Sequence, residues 1–149
     1  MKTQNFTTSP GRFALGLLAS FLSGAIVFTL TAYETRLFFP YFIVVLAVSA
    51  CFTLFVMLPI ALILMKMRST ELISTMACVG VVTILIFAAW NYSALSGATS
   101  LIIGEKTLVQ DSMILYDGWV AIARETALTA LIASLASSVF WKIAFNQKN

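Results

Sequence analysis

Four long apolar segments alternate with short polar stretches along the chain. A helix needs about 20 apolar residues to cross the ~30 Å hydrocarbon core of a bilayer, and each segment is long enough to do so. The pattern therefore predicts an all-α fold: a four-helix transmembrane bundle forming a single membrane domain over residues 1–149. The predicted membrane-spanning helices are 13–33, 41–65, 72–92 and 119–142.

The first apolar segment could instead be a cleaved signal peptide, because Ser23, Gly24 and Ala25 resemble a cleavage site of small residues. However, the segment stays apolar to Leu30, beyond the ~7–15 residues typical of a signal-peptide core. We therefore expect it to be retained as a membrane-spanning helix. Residues 1–12 precede it as a short polar lead.

Small residues recur every four positions on this first helix, at Gly16, Ser20 and Gly24. That spacing places them on one stripe, where two helix backbones can approach closely. The stripe predicts a packing seam with a helix of this chain or of another. A plainer interpretation, that small residues are common in membrane helices, stays open.

The second apolar run, 37–65, has no charged residue and is longer than a bilayer requires. Pro40 is expected to mark the start of its helix. Pro59 lies well inside the helix, where its missing N–H and its clash with the preceding turn predict a kink. Such a kink can be a hinge in a transporter, or a tolerated structural feature of a membrane helix.

The fourth span has two different faces. Small and hydroxyl-bearing residues form one face, and at Ala130, Ser134 and Ser137 we expect a helix-packing or partner interface. The opposite face is predicted to contact lipid. It contains Leu128, Leu131, Ile132, Leu135 and Val139.

Arg124 and Glu125 are a charge pair near the start of the fourth span. If the span begins at Trp119, Arg124 lies ~7–8 Å along the helix axis. The pair would then be a candidate for an ion path or for binding an oppositely charged partner. If the membrane begins near Thr126, both charges lie at headgroup level. The sequence leaves both interpretations open.

Residues 93–118 form the one sizeable segment between spans, and short apolar groups recur among its polar residues. Loops of this length are often functional. The pattern predicts a short helix or hairpin lying on the outer membrane surface, and makes this loop the first candidate for a contact surface outside the membrane.

The distribution of Lys and Arg predicts the orientation of the chain. Positive charges are enriched on cytoplasmic loops, which places both termini and the 66–71 loop in the cytoplasm. This arrangement fits a bacterial inner membrane. The cytoplasmic set is Lys2, Arg12, Lys66, Arg68, Lys142 and Lys148, and the opposite set is Arg36, Lys106 and Arg124.

Composition agrees with a lipid environment. Hydrophobic residues make up 60% of the chain and charged residues 10%, with a mean hydropathy of +0.98, whereas a soluble domain carries about 25% charge. The net charge of +3 forms no basic patch, which argues against nucleic-acid binding. Cys51 and Cys78 both lie inside apolar segments, so we expect them to be small packing residues.

The absence of histidine removes much catalytic chemistry. It disfavours bis-histidine haem, most zinc sites and Ser-His-Asp hydrolysis. Phosphate-binding glycine motifs are also missing. We therefore expect no cofactor, no metal and no enzymatic activity. The remaining enzymatic alternative is a lipid-modifying enzyme that would use Glu105, Asp111 or Asp117.

These features favour a non-enzymatic membrane protein that works through helix–helix and outer-loop contacts. It would be an accessory or assembly subunit of a membrane complex, or an immunity-type inhibitor of a membrane-active toxin. Its expected partners are the lipid bilayer and another membrane protein, or further copies of itself. The alternative is an oligomeric transporter or channel for ions or small molecules.

Overall fold

The computed structural model describes residues 9–31, 38–67, 71–103 and 106–145. Five charged residues named above lie outside these ranges. They are Lys2, Arg36, Arg68, Glu105 and Lys148.

The described part of the chain is mostly helical, and four of its helical stretches are long and apolar enough to cross a membrane. The prediction of an all-α fold with four spans is therefore confirmed. The helices are α1 (Pro10–Thr31), α2 (Phe38–Phe52), α3 (Leu58–Lys66), α4 (Leu72–Ser96) and α5 (Tyr116–Ala144). The second span combines α2 and α3, which a π-helical segment, Thr53–Met57, joins.

Helix α1 begins at Pro10, three residues before the predicted start. The hydroxyl of Ser9 accepts a hydrogen bond from the N–H of Arg12 at 3.4 Å. Serine at this position caps the unpaired N–H groups of the first turn, and proline is favoured as the first helical residue. This pair of residues starts the helix inside the segment that the sequence analysis assigned to the polar lead.

The π-helical segment interrupts the second span just before Pro59. The N–H of Leu58 donates to the carbonyl of Thr53, five residues earlier, instead of four. Thr53 and Met57 are buried, whereas Pro59 is exposed. The irregular hydrogen bonding thus lies one turn ahead of the proline at which the sequence predicts a kink.

A small antiparallel sheet occupies part of the loop 93–118, and we call it the connecting sheet. Within the described residues it has three strands in the order β1–β2–β3. They are β1 (Leu101–Ile103), β2 (Lys106–Gln110) and β3 (Met113–Ile114). Helix α4 extends to Ser96 and α5 begins at Tyr116, so the irregular part of this loop is shorter than predicted.

Contacts divide the chain into two compact units. The first comprises Met1–Val79 and Ile132–Asn149, and the second comprises Gly80–Leu131. In the first unit, α1 packs beside α2 and the π-helical segment. Its buried cluster is formed by Met57, Ala61, Val79, Phe140, Ala144 and Phe145.

In the second unit, the connecting sheet contributes Leu108 and Val109 to the interior, at 7% and 0% exposure. Both are consecutive residues of β2, the central strand. Consecutive strand residues point to opposite faces, so β2 is covered on both sides. The sheet is therefore a packed part of this unit.

Candidate functional site

The small residues of α1 contact other helices of the same chain. A Cβ atom at Gly16 would lie 3.1 Å from Cδ2 of Phe140 and 3.3 Å from Cβ of Ala144. A Cβ atom at Gly24 would lie 3.5 Å from Cβ of Ala136. The hydroxyl of Ser20, which is 2% exposed, lies 3.9 Å from the sulfur of Met57.

Aromatic rings complete this packing around Gly16. The ring of Phe140 is fully buried and meets the rings of Phe13 and Phe145 edge to face, at centroid distances of 5.3 and 5.5 Å. Edge-to-face pairs at this separation are favourable. Phe140 is therefore held on several sides, and the space above Gly16 is filled by a side chain that has little room to move.

The small face of α5 is largely covered. Ala130 is 6% exposed, Ser137 is 0% exposed, and Ser134 is half-buried. The hydroxyl of Ser134 donates to the carbonyl of Met76 in α4 at 3.3 Å, whereas that of Ser137 donates to the carbonyl of Ser134 at 2.7 Å. Ser134 thus forms an interhelical hydrogen bond, the kind of contact that joins membrane helices.

The opposite face of α5 is divided. Leu131 and Leu135 are 58% and 50% exposed, as expected for residues that face lipid. Ile132, assigned to the same face by the spacing of small residues, is only 6% exposed. The buried surface of α5 is therefore wider than the small-residue stripe, because larger side chains at its margin are also covered.

Arg124 and Glu125 are both exposed, and neither forms an ion pair with another described residue. Helical side chains lean towards the N-terminus of their helix, so the long chain of Arg124 leans towards Trp119. An arginine within ~7–8 Å of the interface can extend its guanidinium into the headgroup region. Exposure alone does not distinguish lipid from headgroups, so a position in the bilayer and a position at headgroup level both stay predictions for these charges.

A polar contact joins α4 and α5 close to these charges. The side-chain amide of Asn91 donates to the hydroxyl of Thr126 at 3.3 Å, and Thr126 is 5% exposed. Next to Asn91, the ring of Tyr92 stacks on Trp119, with centroids 5.8 Å apart. These two contacts join α4 and α5 in the part of both helices that lies towards the connecting sheet.

The sheet docks on α5 through Gly118. A Cβ atom there would lie 2.5 Å from the carbonyl oxygen of Leu108 and 2.7 Å from Cγ2 of Ile114. The same Leu108 oxygen accepts the N–H of Leu115 at 2.9 Å. The strand ladder therefore runs directly into α5, and only glycine lets the first helical turn lie this close to β2.

The turn between β2 and β3 has a constrained backbone. We define the far turn as Gln110–Met113; Gln110 pairs with Met113, and the residues between them, Asp111 and Ser112, have φ values of 49° and 61°. Positive φ at both central residues matches a type I′ hairpin turn, which fits the twist of the strands. The side chain of Met113 is 67% exposed at this turn. The far turn thus carries a large, exposed apolar side chain beside a tight hairpin turn.

Two contacts were missed by sequence reasoning. The first is the contact of Gly118 with Leu108, for which the place of this glycine directly before the fourth apolar segment was the available signal. The Asn91–Thr126 hydrogen bond left no signal in the pattern, because it joins residues far apart in sequence. In the described ranges, no group of three or more acidic, cysteine or histidine residues could hold a metal ion.

The fold defines an integral, multi-pass membrane protein. Comparison with protein-family models, with curated protein sequences and with solved structures finds no match.

Proposed function

We propose that this chain is a non-enzymatic membrane protein that works by contacting another membrane protein. It would be an accessory or assembly subunit of a membrane complex, or an immunity-type inhibitor of a membrane-active toxin. The observation that carries the proposal is the connecting sheet, which is docked on α5 through Gly118 and presents the far turn to solvent. A contact surface built on a rigid element loses little conformational entropy when it binds.

We place the partner surface on the sheet because the small-residue stripe of α1 already packs against other helices of the same chain. Ser20 is buried, and the space at Gly16 is filled by Phe140 of the same chain. An exposed seam would have favoured association through α1. The far turn, in contrast, has Met113 at 67% exposure beside the polar residues Asp111 and Ser112.

The excess of Lys and Arg on the other loops supports a location of the sheet outside the cytoplasm. The chain would then lie in a bacterial inner membrane, with the sheet accessible to partners or toxins that arrive from outside. The lipid bilayer is its second partner, along the exposed apolar faces of the helices.

The test is purification in mild detergent at native expression level, followed by native mass spectrometry. The expected result is a stoichiometric second protein that is lost in Met113→Asp and retained in Lys106→Gln. Both positions are about equally exposed, but Lys106 begins β2, whereas Met113 of β3 pairs with Gln110 at the other end of β2. A partner that both variants retain would remove the far turn as the contact surface, and a homo-oligomer alone would overturn the proposal.

The alternative is an oligomeric transporter or channel, which one observation favours. The π-helical segment and Pro59 together interrupt the regular backbone hydrogen bonding of the second span. Turns of π-helix occur frequently at functional sites. Flux through reconstituted vesicles tests this alternative. It predicts that Arg124→Ala changes the rate of transport, whereas the contact proposal expects no flux from either protein.

A further inference from the structure

One end of the connecting sheet exposes large apolar side chains. Ile102 and Ile103 of β1 are 63% and 61% exposed, and Lys106 of β2 lies beside them. We call these three residues the isoleucine end of the sheet. Exposed isoleucines on an edge strand are unfavourable in water. The exposure of these two side chains therefore needs a physical explanation.

The lengths of α4 and α5 locate the membrane boundary on this side. At ~1.5 Å per residue, Leu72 to Tyr92 covers ~30 Å and Trp119 to Trp141 covers ~33 Å, close to the ~30 Å hydrocarbon core. Tyrosine and tryptophan are enriched at this boundary. Tyr92 of α4 and Trp119 of α5, the residues that end these two ~30 Å stretches on this side, stack on each other. Both helices therefore give the same boundary.

The register of the strands brings the isoleucine end to this level. Ile103 pairs with Lys106, whose ammonium lies 3.7 Å from the carboxylate of Asp117. Asp117 precedes Trp119 by two residues, or ~3 Å along the helix axis. The headgroup region on each side of the core is several ångströms thick, so Lys106 and its neighbour Ile103 lie within it.

The far turn lies at the other end of the sheet. Strand β2 extends from Lys106 to Gln110, a distance of ~13 Å at ~3.3 Å per residue. There the N–H of Ser112 donates to the carbonyl of Thr99 at 3.0 Å. The two ends of the sheet thus have different neighbours: Lys106 at the isoleucine end lies beside Asp117 in the first turn of α5, whereas the far turn bonds to Thr99.

We propose that the isoleucine end is a lipid-binding anchor, in which Ile102 and Ile103 insert into the headgroup layer of the adjacent leaflet. The boundary between headgroups and acyl chains accepts apolar side chains, and the ammonium of Lys106 faces lipid phosphates there. The anchor holds the sheet against the bilayer and leaves the far turn in water. This inference is independent of the proposed partner contact.

Spin-label accessibility in lipid nanodiscs, with one copy of the protein per disc, tests the anchor. Cys51 and Cys78 are first replaced by alanine. Single cysteines are then introduced as Ile103→Cys, as Gln110→Cys for the far turn, and as Leu131→Cys for a hydrocarbon reference. All three native side chains are exposed, so the labels are tolerated by the fold; unchanged melting temperatures verify this.

The measured quantity is the collision rate of the label with oxygen, which concentrates in lipid, relative to a water-soluble nickel chelate. At position 103 the oxygen-to-nickel ratio is expected to exceed that at position 110 and to fall below that at position 131. A ratio at 103 equal to that at 110 would place the isoleucines in water and overturn the anchor. A label at 103 shielded from both reagents would also overturn it, because protein would then cover this end.

Discussion

Replacement of Gly118 by alanine tests the docking of the sheet on α5. The added Cβ would lie 2.5 Å from the carbonyl oxygen of Leu108, whereas ordinary contacts begin at 3.4 Å. The helix and the strand would have to separate by about 0.9 Å, the difference between these two distances. The oxygen cannot simply turn away, because it accepts the hydrogen bond from Leu115.

Three contributions determine how much free energy of docking the Gly118→Ala variant loses. Overpacking of this kind costs about 1–3 kcal/mol, and a weakened Leu115–Leu108 hydrogen bond costs about 0.5–1.5 kcal/mol. Alanine regains about 0.5–1 kcal/mol over glycine because it is the better helix former. The net loss is therefore about 2 kcal/mol, which raises the population of the undocked sheet about thirtyfold.

Hydrogen–deuterium exchange of the protein in nanodiscs measures this population. Amides of β2 are expected to exchange faster in Gly118→Ala, while those in the middle of α1 keep their rates. Gly97→Ala is the matched control, because its Cβ would meet only the carbonyl of Ser93, at 3.6 Å. Equal exchange of β2 in Gly118→Ala, Gly97→Ala and the parent protein would refute the docking geometry.

Three further predictions concern packing and backbone strain, and unfolding in mixed detergent micelles measures each. Ser112→Gly is expected to stabilise the protein by about 0.5–1 kcal/mol, because glycine adopts positive φ without the strain of a Cβ; a destabilised variant would contradict the turn. Gly16→Ala is expected to be about 1–2 kcal/mol less stable than Gly24→Ala, since only the former crowds a buried ring; equal stabilities would count against that packing. A double-mutant cycle with Asn91→Ala and Thr126→Val is expected to give a coupling free energy of about 0.6 kcal/mol, typical of interhelical hydrogen bonds in membranes; additive effects would show that the bond contributes nothing.

Gly118 and the far turn are linked by the sheet. The ladder from Gln110 and Met113 continues through Leu108 and Leu115 into α5. Undocking at Gly118 should therefore loosen the far turn as well as β2. Loss of the partner in Gly118→Ala, with the membrane helices still folded, would connect the docking to the proposed contact.

The helical spans could be predicted from the sequence because each depends on local composition. In the ~30 Å core of a bilayer a chain segment must satisfy its own backbone hydrogen bonds, so a long apolar run becomes a helix whatever its neighbours are. The ends of the helices were harder to predict. Helix α1 begins at Pro10, inside the polar lead 1–12. The Ser9 cap and Pro10 both favour the start of a helix there, although the segment is polar.

The connecting sheet was only partly predictable. Recurrent apolar groups in 93–118 indicated a short helix or hairpin, and the structure has a hairpin extended by a third strand. The register depends on positive φ at Asp111 and Ser112, and this turn has Asp-Ser where an Asn-Gly or Asp-Gly pair usually indicates such a turn. A pairing of this kind is decided by the surrounding contacts.

The order of residues alone was enough to predict that the chain is helical, has four segments long and apolar enough to cross a membrane, and lacks the side chains for histidine-based chemistry. Those properties follow from composition and local hydrogen bonding. The contacts between distant residues became known from the folded structure: Phe140 packs over Gly16, Asn91 bonds to Thr126, and Leu108 lies against Gly118. The physical reason is that such contacts depend on distances between residues far apart in sequence, which hydrophobic periodicity does not encode.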